Sequence, residues 1–404
     1  MPVVASGDPS GRKGVSVEKD LPVIINAAGP VTRLSGGPLA PGVIEAMAKA
    51  DRASVDMAEL QAFASRKIAA ATGAEAGIVT GGAAAGILLS AAAAMARLDV
   101  RRINSLPETD GPHEVVVARS HRNGYDHALR AAGAKLVEVG FPEPLAGSGV
   151  RDVEVWEYEA AIGPATAAIL FVARPLASPA LGALSRVAKA RNIPLIVDAA
   201  AELPPAANLR RFIAEGADLV SFSGGKILGG PAGSGLLCGR RDLVMSAALQ
   251  SLDMDVPYEE WSPPADFIEK AKFVGLPRQG IGRACKVGKH EVFGLLAALD
   301  HFLAEGDATR HARWLATCRR IEAAIEASAD FSVVLIGGSS VEQVPQLELR
   351  FADPARSRAL RQRLLARATP VHLGRDRLRP ERLRVNPTCL RETEIAPLID
   401  ALVG

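Results

Sequence analysis

The chain has 404 residues, 48% of them hydrophobic but only 4% aromatic, and a formal net charge of +2 from 47 basic and 45 acidic side chains. That length suits about two domains, with a large core built from Ala, Leu, Val and Ile, and so even a charge balance gives no electrostatic case for a nucleic-acid partner. The four cysteines, Cys238, Cys285, Cys318 and Cys389, are scattered and form no CxxC pair, which fits free thiols in a reducing cytoplasm rather than a disulfide framework.

The first twenty residues mix Gly, Pro, Ser and charges without an apolar run, so they read as a mobile arm rather than a secretory signal. A helix begins near Ala40, with Pro41 suited to its first turn. A second spans Met57 to Thr72, with Asp56 as N-cap and Gly73 closing it. Ala76-Gly-Ile-Val-Thr80 reads as a strand. The segment Gly81 to Leu98 after it is nearly uncharged but mostly Ala and Gly. It falls short of the ~20 strongly apolar residues of a membrane span, so a buried helix packed on a sheet is expected, and no membrane partner.

Strands and helices then alternate. Glu114 to Ala118, Lys135 to Val139, Ala167 to Ala173, Leu195 to Asp198, Asp218 to Phe222 and Ser234 to Gly239 read as strands. Tyr125 to Ala132, Leu181 to Arg191 and Leu209 to Glu215 read as helices. Short continuous apolar strands between helices imply a mostly parallel α/β sheet covered on both faces, with ligands outside the carboxyl ends of the strands. Beyond residue 285 the pattern changes to a smaller α+β unit: helices from Val287 to Leu303, Thr309 to Ala327, Pro354 to Ala366 and from Glu392, and strands Ser332 to Ile336, Gln346 to Phe351 and Arg382 to Val385. The expected division is an N-terminal segment, 1–45, that joins the small domain, a large domain, 46–290, and a small domain, 291–404.

The chemistry concentrates at expected strand ends. Lys226 follows an apolar strand and two glycines, in Phe222-Ser-Gly-Gly-Lys, and Asp198 ends Leu195-Ile-Val. A strand-end lysine and a strand-end aspartate are what pyridoxal 5′-phosphate (PLP) requires: the lysine bonds to its aldehyde and the aspartate keeps its ring nitrogen protonated. Ala200 is small enough for the ring to lie against, and Ser223 can donate to the cofactor phosphate. Gly81, Gly82 and Ala83 open a helix after a strand, which makes an anion site; taken alone, the same glycines also read as a plain strand–helix turn, and Asp198 as an N-cap. His121 follows a strand and can stack on the ring. The spacing of His121 and His127 matches no standard zinc pattern, so no metal is expected. Neither a P-loop, a GxGxxG fingerprint nor a Gly-x-Ser-x-Gly elbow occurs.

Ile25-Asn-Ala-Ala-Gly, Val55-Asp-Met-Ala-Glu-Leu, Val79-Thr-Gly-Gly-Ala-Ala-Ala-Gly, Ser120-His-Arg-Asn, Val197-Asp-Ala-Ala-Ala-Glu-Leu-Pro-Pro, Phe222-Ser-Gly-Gly-Lys and Gly280-Ile-Gly-Arg-Ala-Cys-Lys-Val-Gly-Lys together resemble the PLP-dependent fold-type I enzymes of the selenocysteine synthase superfamily. Within it, the chain is similar to the branch that contains D-glucosaminate-6-phosphate ammonia-lyase. Selenocysteine synthases usually carry an acidic residue just before the lysine, where this chain has Gly225, and an N-terminal tRNA-binding domain, where it has only the short arm. Selenium transfer to tRNA is therefore not expected.

The resemblance implies a fold-type I enzyme with Lys226 as catalytic base, a site built across a homodimer or higher homo-oligomer, and Arg33, Arg283 and Lys286 near substrate. Arg384, on a small-domain strand, is the expected contact for a substrate carboxylate. The expected reaction is α,β-elimination with ammonia release from a small β-hydroxy amino acid or an amino sugar acid, phosphorylated or not. A PLP racemase or β-replacement transferase would use the same residues, and a non-catalytic PLP-binding regulator would bind the cofactor without turnover.

Overall fold

The computed structural model describes residues 21–141, 153–175, 177, 179–325, 330–376 and 378–404. The arm expected over 1–20 and the final residues of the helix expected to reach Ala327 lie outside the described residues. Two compact units are present, one made of Pro30–Arg310 with Val341–Gln343, the other of the residues up to Gly29 with His311–Ser340 and Val344–Gly404.

Counting from β1 (Ile25–Ala27), which belongs to the smaller unit, the larger unit contains β2 (Ala76–Thr80), β3 (Glu114–Ala118), β4 (Lys135–Val139), β5 (Thr166–Val172), β6 (Leu195–Asp198), β7 (Leu219–Ser223) and β8 (Gly235–Gly239). They form one sheet in the order β2-β8-β7-β6-β5-β3-β4. The pairs from β7 through β6, β5 and β3 to β4 are parallel, and β8 is antiparallel to both its neighbours. The physical reason is the connection: β7 and β8 are joined by a loop with no helix to carry the chain back across the sheet, and adjacent strands so joined run in opposite directions. That loop carries Lys226.

Helices α1 (Val43–Asp51), α2 (Met57–Thr72), α3 (Ala83–Ala96), α4 (Val100–Ser105), α5 (Asp126–Ala131), α6 (Val155–Ala161), α7 (Leu181–Ala190), α8 (Asn208–Ala214) and α9 (Arg241–Ser251) accompany this sheet. Asp56 caps α2, accepting from the N–H groups of Ala58 and Glu59, and Gly73 closes it in the left-handed region (φ 71°). Both faces of the sheet are buried, because alternate residues serve different cores. Val115 and Val117 pack with α3 and α9, whereas Val116 and Ala118 pack with α2, α7 and α8. Buried aliphatic side chains of this kind contribute roughly 1.5–3 kcal/mol each. α3 is buried on nearly every side. Its small residues allow close approach: a Cβ on Gly86 would lie 2.3 Å from Ser221 Oγ of β7.

A long helical run, α10 (Lys289–Ile325), is broken at Gly306, whose φ of 73° and ψ of 159° no helix accepts. The break falls between the two helices expected from sequence, and the two units divide soon after it, at Arg310. At the N-terminus the division falls at Pro30 rather than at residue 46, for a visible reason. The Gly37 N–H donates to Gly225 O at 3.2 Å and that of Ala40 to Gly229 O at 2.7 Å, so residues 30–40 are fastened to the Lys226 loop of the larger unit.

The smaller unit has a five-stranded sheet in the order β1-β11-β12-β10-β9, built from β1, β9 (Ser332–Ile336), β10 (Gln346–Arg350), β11 (Val371–Arg375) and β12 (Arg382–Val385), with α11 (Pro354–Leu365) and α12 (Glu392–Val403). β1 pairs in parallel with β11. Leu347 and Leu349 of β10, with Leu383 and Val385 of β12, face the core. The alternate positions carry charge, as the pleat dictates. Glu348, only 2% exposed, is held by Arg350 at 2.8 Å, Arg382 at 2.9 Å and Arg384 at 3.3 Å.

Burial pulls the Glu348 carboxyl up, but the three arginines outweigh it and hold it below its ordinary value of 4.5. A depressed folded-state pKa contributes stability above the unfolded value, and that stability is lost as pH falls through the folded one. Glu348→Gln should therefore lower stability at pH 7 by about 1–3 kcal/mol, read from urea unfolding midpoints, and the gap to wild type should close as pH drops below 4.5. Equal midpoints at pH 7 would show that the cluster contributes nothing.

Candidate active site

One edge of the larger sheet collects the ends of five strands. The register pairs Thr80 with Gly235 and Gly235 with Ser223, Asp198 with Ser221, and Val172 with Asp198. β2, β5, β6 and β7 thus finish together. Lys226 and Asp198 follow from adjacent strands, and Gly81, Gly82 and Ala83 leave from Thr80 on the same edge.

Lys226 stands in a loop pinned at its base. Gly224 N–H donates to Ser234 O and Gly230 N–H to Gly224 O, both at 2.8 Å. Gly225 has no room for a side chain: a Cβ there would lie 2.5 Å from the Cα of Ala232. That excludes an acidic residue at this position without moving backbone, and accounts for the chain's departure from the selenocysteine synthase pattern. The loop leaves Lys226 half-buried. Burial lowers the pKa of its amine below the ordinary lysine value, while Asp198 and Glu202 oppose the shift.

Asp198 shows the complementary effect. Burial raises its carboxyl, and the Ala200 N–H and Lys226 pull it back. The Ala200 N–H donates to Oδ1 at 3.0 Å, fixing the carboxylate's orientation. Two desolvated opposite charges stabilise each other, and each waits for a partner of its own: a cation for Asp198, a carbonyl for Lys226.

The anion cradle is equally plain. Gly82 is the N-cap of the fourteen-residue α3, has φ 101° and supplies no side-chain cap. The first N–H groups of α3 are thus left for a bound anion, with the helix dipole adding to the attraction. Gly81 packs against the segment 281–288 of its own chain, where a Cβ would meet Cys285 O at 2.9 Å. Ser223 ends β7, half-buried.

His121 is buried at the end of β3. Its Nδ1 accepts from the Val172 N–H at 3.3 Å, which assigns the proton to Nε2, and its ring meets Phe171 edge-on at 5.0 Å. His127 is exposed. Arg33 and Lys286 are exposed, with no ion pair among the described residues, whereas Arg283 pairs with Asp253 at 3.0 Å. Arg384, in the smaller unit, is engaged by Glu348 and by Asp376 at 3.1 Å.

Two cavities adjoin the strand edge. One of about 390 Å³ is lined by Thr80, Asp253, Arg283, Lys286 and Glu291. The other, of about 760 Å³, lies at the ends of β5 and β6 and is lined by Ala173, Arg174, Glu202, Asn208 and Arg211. Glu202 is the residue that sequence reasoning missed. Burial raises its carboxyl, Arg211 lowers it, and Asp198 and Lys226 both act on it. The signals were a lone charge four residues after Asp198 in a run of alanines, and its place in the family-like segment Val197 to Pro205.

The same sheet edge offers groups of the chemistry that PLP requires: a buried carboxylate, an amine of lowered pKa and an uncapped helix start. The chain is a PLP-dependent enzyme of fold type I. Comparison with known proteins carries this further. The model of the SelA family, L-seryl-tRNA selenium transferase, matches residues 45–254. A 5′-C-glycyluridine monooxygenase-decarboxylase from a Streptomyces species is 31% identical over 382 residues, 91% of this chain and 86% of its own. D-glucosaminate-6-phosphate ammonia lyase from Salmonella typhimurium is 34% identical over 289 residues, 69% of this chain and 67% of its own. A solved structure of D-glucosaminate-6-phosphate ammonia-lyase covers 96% of both chains with a TM-score of 0.75 at 26% identity. The chain belongs to the SelA family.

Asp198→Asn should keep PLP bound but lower kcat at least about a hundredfold, because an amide supplies no charge to hold the ring nitrogen protonated. Absorbance titration with PLP and steady-state turnover check the two halves separately. Near-normal kcat would place the anchoring charge elsewhere.

Proposed function

We propose that this enzyme is an ammonia-lyase acting by α,β-elimination on a small β-hydroxy amino acid or amino sugar acid, free or phosphorylated. The observation that carries the reading is the match to D-glucosaminate-6-phosphate ammonia-lyase over 96% of both chains. Bound PLP supplies an electron sink for the substrate's α-carbon. Lys226, displaced by the substrate amine, takes the α-proton; its lowered pKa leaves more of the amine neutral and able to act as a base. Asp198 keeps the ring nitrogen cationic. Glu202 adds negative charge that offsets part of the desolvation of Lys226. The β-hydroxyl would depart as water, taking up the equivalent of the proton Lys226 removed, and a second water would hydrolyse the resulting enamine to a keto acid and ammonia.

Among the proposed contacts for the substrate's anionic groups, Arg33 and Lys286 come first, because Arg283 and Arg384 would have to exchange existing carboxylate partners. His121 is proposed to stack on the ring, and Ala200 and Ser223 to contact ring and phosphate. A cytoplasmic homodimer or larger homo-oligomer belongs to the same proposal. The compartment is supported by four free cysteines, three of them buried, and the assembly by Lys286, a cation standing exposed beside the Gly81 turn. Among the described residues no helix is long and apolar enough to cross a membrane.

A second reading has one observation behind it. The Streptomyces relative, named as a monooxygenase-decarboxylase, aligns over 91% of this chain, which favours oxygen-dependent loss of a carboxylate from an amino acid. Racemisation and β-replacement would use the same residues without either relative's name in support.

An absorbance screen of amines against the PLP-loaded enzyme, with each hit assayed for ammonia, keto acid and carbon dioxide in air and under argon, separates these readings. Elimination predicts equal amounts of ammonia and keto acid, unchanged under argon. Carbon dioxide release that stops under argon would replace the lyase by the second reading.

A further inference from the structure

Arginines crowd into one stretch of the smaller unit. Residues 354–385 contain ten arginines, no lysine and two acids, Asp376 and Glu381. The stretch carries a formal +8 in a chain whose total is +2, so the remainder is net acidic and the overall figure hides a strongly basic region. Arg358, Arg361, Arg375 and Arg382 line one cleft of about 90 Å³. Arg358 and Arg361 are three apart on α11, which brings them to one face. Arg375 ends β11, and Arg382 opens β12.

Among the described residues, Arg358, Arg361 and Arg375 have no ion-pair partner. Some exposed arginines elsewhere in the chain are paired, Arg66 with Asp266, Arg101 with Asp110 and Arg211 with Glu215, whereas here three unpaired ones share a single cleft. Like charges gathered on one cleft repel and are relieved by an anion. Arg382 is already oriented by Glu348 at 2.9 Å. The one carboxylate in the cleft is spent on its own surroundings. Asp376 Oδ1 accepts from the N–H groups of Leu378 at 3.0 Å and Arg379 at 3.1 Å, and Oδ2 accepts from Arg384 at 3.1 Å.

We propose that this cleft is a binding site for a small phosphate-bearing anion, built from residues other than those of the cofactor cradle. Guanidinium groups match phosphate oxygens in paired hydrogen bonds, which explains arginine here to the exclusion of lysine. The volume suits a single tetrahedral oxyanion, since sites for larger organic ligands run to several hundred Å³. Either free phosphate or the terminal group of a phosphate monoester supplies that chemistry.

The test uses full-length protein saturated with PLP, so that the cofactor's own phosphate site is filled. Inorganic phosphate is titrated calorimetrically in a phosphate-free chloride buffer, and glycerol phosphate in a second arm. The site predicts one phosphate per chain, weakened about ten- to a hundredfold in the double variant Arg358→Gln/Arg361→Gln and unchanged in Lys286→Ala. Competition by glycerol phosphate assigns the site to monoesters, and its absence to free phosphate; both support the site. Should the double variant fail to fold, as judged by PLP content and circular dichroism, the single exposed variant Arg375→Gln takes its place. No phosphate heat in the wild type, binding unaffected by the arginine substitutions, or binding lost in Lys286→Ala would overturn the proposal. So would a single-stranded RNA that binds through these arginines while inorganic phosphate does not.

Discussion

Two opposite charges partly withdrawn from water on one sheet edge are the constraint around which the larger unit is arranged. A buried lysine tends toward its neutral form and a buried aspartate toward its protonated form. Lys226 and Asp198 each restrain the other's shift, and Glu202 adds a further negative charge. Neither charge is satisfied as fully as it would be in water, and PLP presents the complement of both: an aldehyde for the amine and a basic ring nitrogen for the carboxylate. The parallel strands place the pair side by side, and the uncapped start of α3 opens on the same edge.

That arrangement depends on small residues more than on large ones. α3 rides on β7 because Gly86 leaves space for Ser221, and the lysine loop folds back because Gly224 and Gly225 carry no Cβ to strike Ser234 and Ala232. The same tightness limits what this chain can carry at the residue before the lysine. A side chain at 225 would push the loop that positions Lys226, so an acidic group cannot be added here without displacing that lysine.

Much of this was legible beforehand, and the exceptions have physical causes. The strands from β2 to β8 announced themselves as short apolar runs, and Asp198 and Lys226 as charges at their ends. The antiparallel direction of β8 was not legible, because direction follows from how the chain crosses the sheet and not from composition. α9 was missed since Leu243 to Gln250 is buried throughout, leaving no polar face to betray a helical period. β1 has three residues, too few for a pattern, and only its pairing with β11 reveals it. Glu202 was missed because its meaning lies in the approach of two strand ends. The overall charge of +2 concealed the basic stretch beyond residue 354, since an acidic remainder cancels it. Arg384 matched a carboxylate receptor by type, but register set it opposite Glu348.

The central claim is that the loop between β7 and β8 exists to present one amine to the cofactor. Borohydride reduction of the PLP-saturated protein, followed by peptide mapping, tests it most directly. The account predicts one pyridoxyl label per chain, on Lys226. A label on another lysine, or none after saturation with PLP, would contradict it.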